Sequence, residues 1–132
     1  LITDIGDSGI YNIENAIVIS GEQEMSSFGQ SISFLGDISG DGRDDFVIGA
    51  RRHGEHLEGA AYLFFHEPNT GLASQADVIL YGERGDQAGT HFSSLNDGNG
   101  DGFRELLLGS YRSENPNNDL LNPGVVRVFD GG

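Results

Sequence analysis

The feature that most constrains the fold is a repetition. GDISGDGRDDFVIGA at residues 36–50 aligns without a gap on NDGNGDGFRELLLGS at residues 96–110, sixty positions later. The likeness extends upstream, where FGQSISFLGD (28–37) matches AGTHFSSLND (88–97). Before that, AIVISGEQEMSSFG (16–29) matches DVILYGERGDQAG (77–89), one residue shorter. Downstream, GAAYLFF (59–65) matches GVVRVFD (124–130), after an insertion of five residues in the connecting loop YRSENPNNDLLNP (111–123). A period of this size marks one supersecondary unit used more than once.

One unit reads as four short strands, at roughly 29–35, 45–50, 60–66 and 76–81. FVIGA and LLLGS are continuously apolar, as in strands buried on both faces. AYLFF and VVRVF are rich in aromatic and β-branched residues, and Gly, Asn, Asp and Pro fill the connections. No stretch of helical length has a 3.6-residue period; in Glu14–Met25 the β-branched AIVIS and the break at Gly21 argue against a helix. The expected class is therefore all-β. Four strands in about 60 residues describe an antiparallel β-propeller blade.

The chain holds about two blades' worth of strands in permuted order. Residues 1–27 read as a leader plus strand 4 of a preceding blade, AIVIS. Residues 28–87 read as a full blade, and 88–132 as strands 1–3 of a second, all within one segment (1–132). Propellers have about four to eight blades, so two cannot close a ring. The chain is expected to be a fragment of a larger propeller, or to form a homo-oligomer that completes one. Leu1 in place of Met also suggests a trimmed piece of something longer, and no signal peptide is visible.

Composition narrows the function. The net charge is −14, and all seven basic residues are Arg. Such acidity repels phosphates and argues against nucleic acid; it fits a soluble protein that binds cations or is adapted to salt. Cysteine is absent, which excludes a disulfide framework. No apolar run is long enough for a membrane span.

The acidity concentrates in the repeated loop. Counting from Asp37, oxygen-bearing side chains fall at positions 1, 3, 5 and 9: Asp37, Ser39, Asp41 and Asp45. Gly42 follows at position 6, and Arg43 at position 7 offers its carbonyl. The second copy places Asp97, Asn99, Asp101, Gly102, Phe103 and Glu105 alike. Alternate side chains of a tight loop converge, and converging carboxylates repel unless a cation joins them. Hard oxygen donors in this number suit Ca²⁺, one ion per loop, better than the strictly octahedral Mg²⁺. An EF-hand begins alike but needs Glu at position 12 and a helix; here Ile48 and Leu108 stand there, in β-like runs. A solvated Asp/Gly turn is the bland reading, and the two copies in register weigh against it.

FGQSISFLGDISGDGRDDFVIGA followed by EGAAYLFF resembles the FG-GAP repeat of integrin α-subunit β-propellers, and the resemblance covers about residues 16–130. Phe28-Gly29 matches the first element of that motif. Gly49-Ala50 matches the second, with Arg51 where Pro is usual. The second copy has Ala88-Gly89 and Gly109-Ser110 at these places. The resemblance implies a structural Ca²⁺ between strands 1 and 2 of each blade, on the face opposite the usual ligand-binding face. Asp37, Ser39, Asp41, Asp45 and the Arg43 carbonyl would hold one ion. Asp97, Asn99, Asp101, Glu105 and the Phe103 carbonyl would hold the other. It also implies an extracellular or cell-surface module, without catalysis, for adhesion or protein interaction. A carbohydrate-binding propeller (a lectin, or an accessory module of a polysaccharide-active enzyme) is the alternative, so the partner is a protein or a glycan. The insertion Tyr111–Pro123 is the candidate contact loop.

Other motifs read as structure. Arg84-Gly85-Asp86 spells a tripeptide that integrins recognise, but it sits in the turn before the first strand of a blade. His53 and His56, three apart, lack the further His or Cys of a transition-metal site. No GxSxG, HExxH or P-loop pattern marks a catalytic centre.

Overall fold

The computed structural model describes residues 16–65, 71–112 and 123–132. Seven strands form two antiparallel sheets. β1 (Phe28–Gly36), β2 (Asp45–Ala50), β3 (Ala60–Phe64) and β4 (Val78–Tyr81) lie side by side in that order. β5 (His91–Leu95), β6 (Glu105–Ser110) and β7 (Val125–Phe129) form the second sheet, also in sequence order. The architecture is all-β, and the four-stranded meander is a propeller blade. A 3-10 turn, Ala73–Gln75, precedes β4.

Register follows the repeat. Ile32, Ile48, Tyr62 and Ile79 stand opposite one another across the first sheet. Their counterparts Phe92, Leu108 and Arg127 do so in the second. Because successive side chains alternate in face, each central strand feeds two cores. Val47, Ala61 and Leu63 point toward the second sheet, where Leu106 and Leu108 meet them in a core shared by both blades. Ile48, Tyr62 and Phe64 point the other way and are covered in part by Ile19 and Ala73. The unbroken apolar run FVIGA is thus explained by burial on both sides.

Glycine sets how closely the blades approach. A Cβ on Gly49, next to the end of β2, would collide with the carbonyl of Gly89 and the hydroxyl of Ser31. That hydroxyl donates to the same Gly89 carbonyl. The Gly of the Gly-Ala element is therefore a contact between blades. Phe28 of the Phe-Gly element packs edge-on against Tyr62, with ring centres 5.3 Å apart. Gly29 takes a positive φ of 83° there.

The expected strand 4 at AIVIS differs in the structure. Ala16–Ser20 forms no ladder; Ser20 alone makes a parallel bridge to Leu72. It donates to Gly71 O at 2.7 Å and accepts from Ala73 N at 2.9 Å. A strand 4 needs a strand 3 of its own sheet beside it, and the described residues supply none. Residues 1–15 and most of the candidate contact loop Tyr111–Pro123 lie outside the described residues.

Candidate metal centre

Both acidic loops join the first two strands of a sheet, at the same end of the molecule. Each turns tightly because glycines take positive φ where a Cβ would be strained: Gly40 and Gly42 at 80° and 86°, Gly100 and Gly102 at 84° and 96°. The tightness directs backbone N–H groups inward. In the first loop Asp37 accepts from Gly40 N at 2.8 Å and Gly42 N at 2.9 Å. Asp41 accepts from Arg43 N at 2.8 Å and pairs with its guanidinium at 3.1 Å.

The carboxylate at position 9 is buried in both copies. Asp45, the first residue of β2, is 0% exposed, and its Oδ2 accepts from Ile38 N at 2.9 Å and Ser39 N at 2.8 Å. Its other oxygen, Oδ1, is buried without a protein partner, as is Ser39 Oγ. Buried polar atoms are ordinarily satisfied, and a lone carboxylate oxygen is costly to leave so. Two such oxygens in one loop suit a cation. Glu105, at the start of β6, is 3% exposed and takes Gly98 N on both oxygens at 3.0 Å.

The two loops differ in convergence. Asp97, Asp101 and Glu105 each bring an oxygen within 4.8 Å of the others. Among the described residues no other group of acidic or histidine side chains does this, the first loop included. There, Asp37 and Asp41 are turned onto backbone amides and Arg43 instead. Asn99 bridges the second loop, its Nδ2 donating to Asp101 at 3.0 Å and its Oδ1 accepting from Asp101 N at 3.0 Å.

Sequence reasoning missed one neighbour, Asp130, and one contact, that of the Phe103 ring with the first loop. Asp130, just past β7, accepts from Asn99 Nδ2 at 3.4 Å. Its signal was a carboxylate where the first repeat has Phe65. The Phe103 ring lies where a Cβ on Gly40 would be, so the second loop leans on the first. An apolar cleft of about 410 Å³ opens between the sheets beside the loops, lined by Leu63, Val78, Leu106 and Phe129, with the Asp130 carboxylate at its edge.

The remaining motifs are accounted for by packing. Asp86 is 1% exposed, pairs with Arg127 of the second sheet at 2.8 Å and accepts from Glu83 N at 3.0 Å. The Arg-Gly-Asp carboxylate is therefore turned inward as a tie between blades. His53 Nδ1 lies 3.3 Å from the Tyr62 hydroxyl, and His56 Nδ1 lies 3.4 Å from Glu58. Each histidine thus has its own partner, and the two share no ligand point. Burial first, then Tyr81 and Glu22, push the Tyr62 phenol up to about 12.

Comparison with known proteins agrees with this architecture. Residues 28–64 match the FG-GAP repeat family. The chain is 33% identical to integrin alpha-5 of Xenopus laevis over 100 residues, which is 72% of the chain and 9% of that protein. It is 32% identical to integrin alpha-3 of Cricetulus griseus over 96 residues (70% and 9%). It is 30% identical to integrin alpha-PS3 of Drosophila melanogaster over 115 residues (82% and 10%). The chain thus matches about a tenth of the length of these relatives.

Proposed function

The chain carries an FG-GAP repeat at residues 28–64 and is integrin α-like over most of its length, and from that premise we propose a calcium-stabilised, non-catalytic β-propeller module for adhesion or protein interaction. Residues 28–87 are its complete blade and 88–132 the first three strands of the next. The module works outside the cell or at its surface, and its partner is a protein.

The observation that carries the calcium reading is the buried Asp45 oxygen left without a protein donor, with its counterpart Glu105 drawn together with Asp97 and Asp101. Asp37, Ser39, Asp41, Asp45 and the Arg43 carbonyl would hold one ion. Asp97, Asn99, Asp101, Glu105 and the Phe103 carbonyl would hold the second. A bound Ca²⁺ supplies charge neutralisation and fixes the turn between the first two strands. Loops of this kind bind at roughly 10⁻⁴ to 10⁻³ M, as in other extracellular modules. Calorimetric titration of Ca²⁺ into protein stripped with EDTA should show two binding events. Heats no larger than dilution at millimolar Ca²⁺ would overturn the proposal.

A further inference from the structure

We propose that Asn99 is a site of spontaneous covalent modification, where the peptide nitrogen of Gly100 displaces the side-chain amide and converts the residue to aspartate or isoaspartate. The step needs water and no metal, so it does not rest on the calcium reading. It gives the second loop a fourth carboxylate, which the first loop has no means to acquire.

The sequence singles out the position. Asn99-Gly100 is the one Asn-Gly pair among the 132 residues, and the first repeat has Ser39-Gly40 in its place. The reaction needs the nitrogen of the following residue to reach the Asn side-chain carbon, and a following glycine has no Cβ to obstruct it. Asn is for this reason among the thermolabile residues. The structure leaves the approach open. Asn99 and Gly100 are both exposed, and nothing lies within 4 Å of where a Gly100 Cβ would be. The two loops differ at the nitrogen itself. Gly40 N is held by Asp37 Oδ1 at 2.8 Å, whereas among the described residues Gly100 N has no acceptor. An N–H uncommitted to an acceptor can give its proton to water, and losing that proton is what makes the nitrogen nucleophilic.

The side chain is set for the same step. Asn99 Oδ1 accepts from Asp101 N at 3.0 Å, which folds the amide back along its own main chain, toward the Gly100 nitrogen between them. That donor also faces the oxygen on which negative charge gathers when Cγ becomes tetrahedral. A bond forms from Gly100 N to Asn99 Cγ, the Cγ–Nδ2 bond breaks, and ammonia leaves with a proton supplied by water. Water then opens the cyclic imide at either carbonyl. One opening yields aspartate; the other yields isoaspartate, whose main chain runs through the former side chain. In sum, amide and water become acid and ammonia, and nothing is oxidised or reduced. The consequence follows from the present partners of Nδ2, which donates to Asp101 Oδ2 at 3.0 Å and to Asp130 Oδ1 at 3.4 Å. A carboxylate in its place turns both hydrogen bonds into like-charge contacts, on a chain whose net charge is already −14.

The test is peptide mapping by tandem mass spectrometry of the 132-residue chain kept for days in mildly alkaline buffer with EDTA. The readout is the amide-to-acid mass change located at Asn99, because isomerisation of the neighbouring Asp-Gly pairs leaves mass unaltered. Asn99 should convert steadily and faster than any other asparagine. Asn99→Gln, which would have to close a larger ring, should keep the wild-type circular dichroism and hold its amide over the same period. Asn99→Asp imitates one product and should melt several degrees below the wild type in EDTA, where no cation offsets the added charge. An Asn99 that stays unconverted in the folded chain overturns the proposal, whether or not the chain converts in urea. So does conversion no faster than at the other asparagines, or a Gln variant that loses its amide as fast. An Asn99→Asp chain that melts with the wild type overturns the effect on the loop. Every arm is run in EDTA, so a chain that binds no calcium leaves these outcomes unchanged.

Discussion

Asp45 is a charged residue with no exposure, two backbone donors on one oxygen and none from the protein on the other. A purely structural carboxylate and a calcium ligand make opposite predictions here. Asp45→Asn keeps an acceptor for Ile38 N and Ser39 N and removes the charge. In EDTA the variant should be as stable as the wild type or more so, by about 1–2 kcal/mol, since a poorly compensated buried charge is gone. In calcium the order should reverse, and one binding event should disappear from the titration. Thermal melts in both buffers decide it; destabilisation of the same size in each would leave Asp45 without a ligand role. Tyr62 makes a second residue-scale prediction. Its folded pKa of about 12 lies above the unfolded value, so folding favours the neutral phenol. That contribution is complete below pH ~10 and is lost as pH rises from there through about 12. A spectrophotometric titration should show one tyrosine ionising near the upper limit, and near 10 once the chain is unfolded in urea.

At the scale of strands and loops, equivalent positions in the repeat need not carry equivalent roles. Gly49 and Gly109 occupy the same place in β2 and β6, but only Gly49 meets another blade within the chain. Gly49→Ala should cost about 1–3 kcal/mol through forced separation of the sheets. Gly109→Ala, with its nearest contact at 3.6 Å, should leave the melting of the isolated chain unchanged. Equal losses at the two sites would mean that strand chemistry, not the blade interface, sets the requirement. The strands themselves were legible from the sequence because their burial pattern is local: FVIGA and LLLGS announce β2 and β6 to within a residue. The drawing together of Asp97, Asp101 and Glu105 was legible from spacing; that Asp37 and Asp41 turn onto backbone amides instead was not. What spacing cannot carry is long-range placement. Asp130 reaches Asn99 from 31 residues away, Phe103 closes on Gly40 of the other repeat, and Asp86 finds Arg127 across the sheets. AIVIS has the composition of a strand, but pairing also needs a neighbour, and composition does not contain one. The Asp86–Arg127 tie yields a further test: Asp86→Asn leaves Arg127 facing a neutral amide and should cost about 2–3 kcal/mol by denaturant titration, less than a fully buried pair because Arg127 is partly exposed.

For the molecule as a whole, a net charge of −14 on 132 residues works against compaction, and two routes can relieve it. Monovalent salt screens all exposed carboxylates but reaches the buried Asp45 and Glu105 poorly. Two calcium ions would bring the charge only to −10, yet they would act where the repulsion is concentrated and where solvent does not. If bound calcium is what holds the loops, specific binding outweighs screening. Calcium at a hundredfold excess over Kd stabilises by about 2.7 kcal/mol per site. For a domain of this size that is a rise in Tm of roughly 10–20 °C for both sites together. Sodium chloride at the same ionic strength should give a few degrees at most, and Mg²⁺ less than Ca²⁺, because it resists shedding water for a flexible loop of oxygens. The comparison is made by differential scanning calorimetry of one preparation dialysed into the three salts. An equal rise in all three would mean that general screening accounts for the stabilisation. The paired loops would then be acidic turns with no ion of their own.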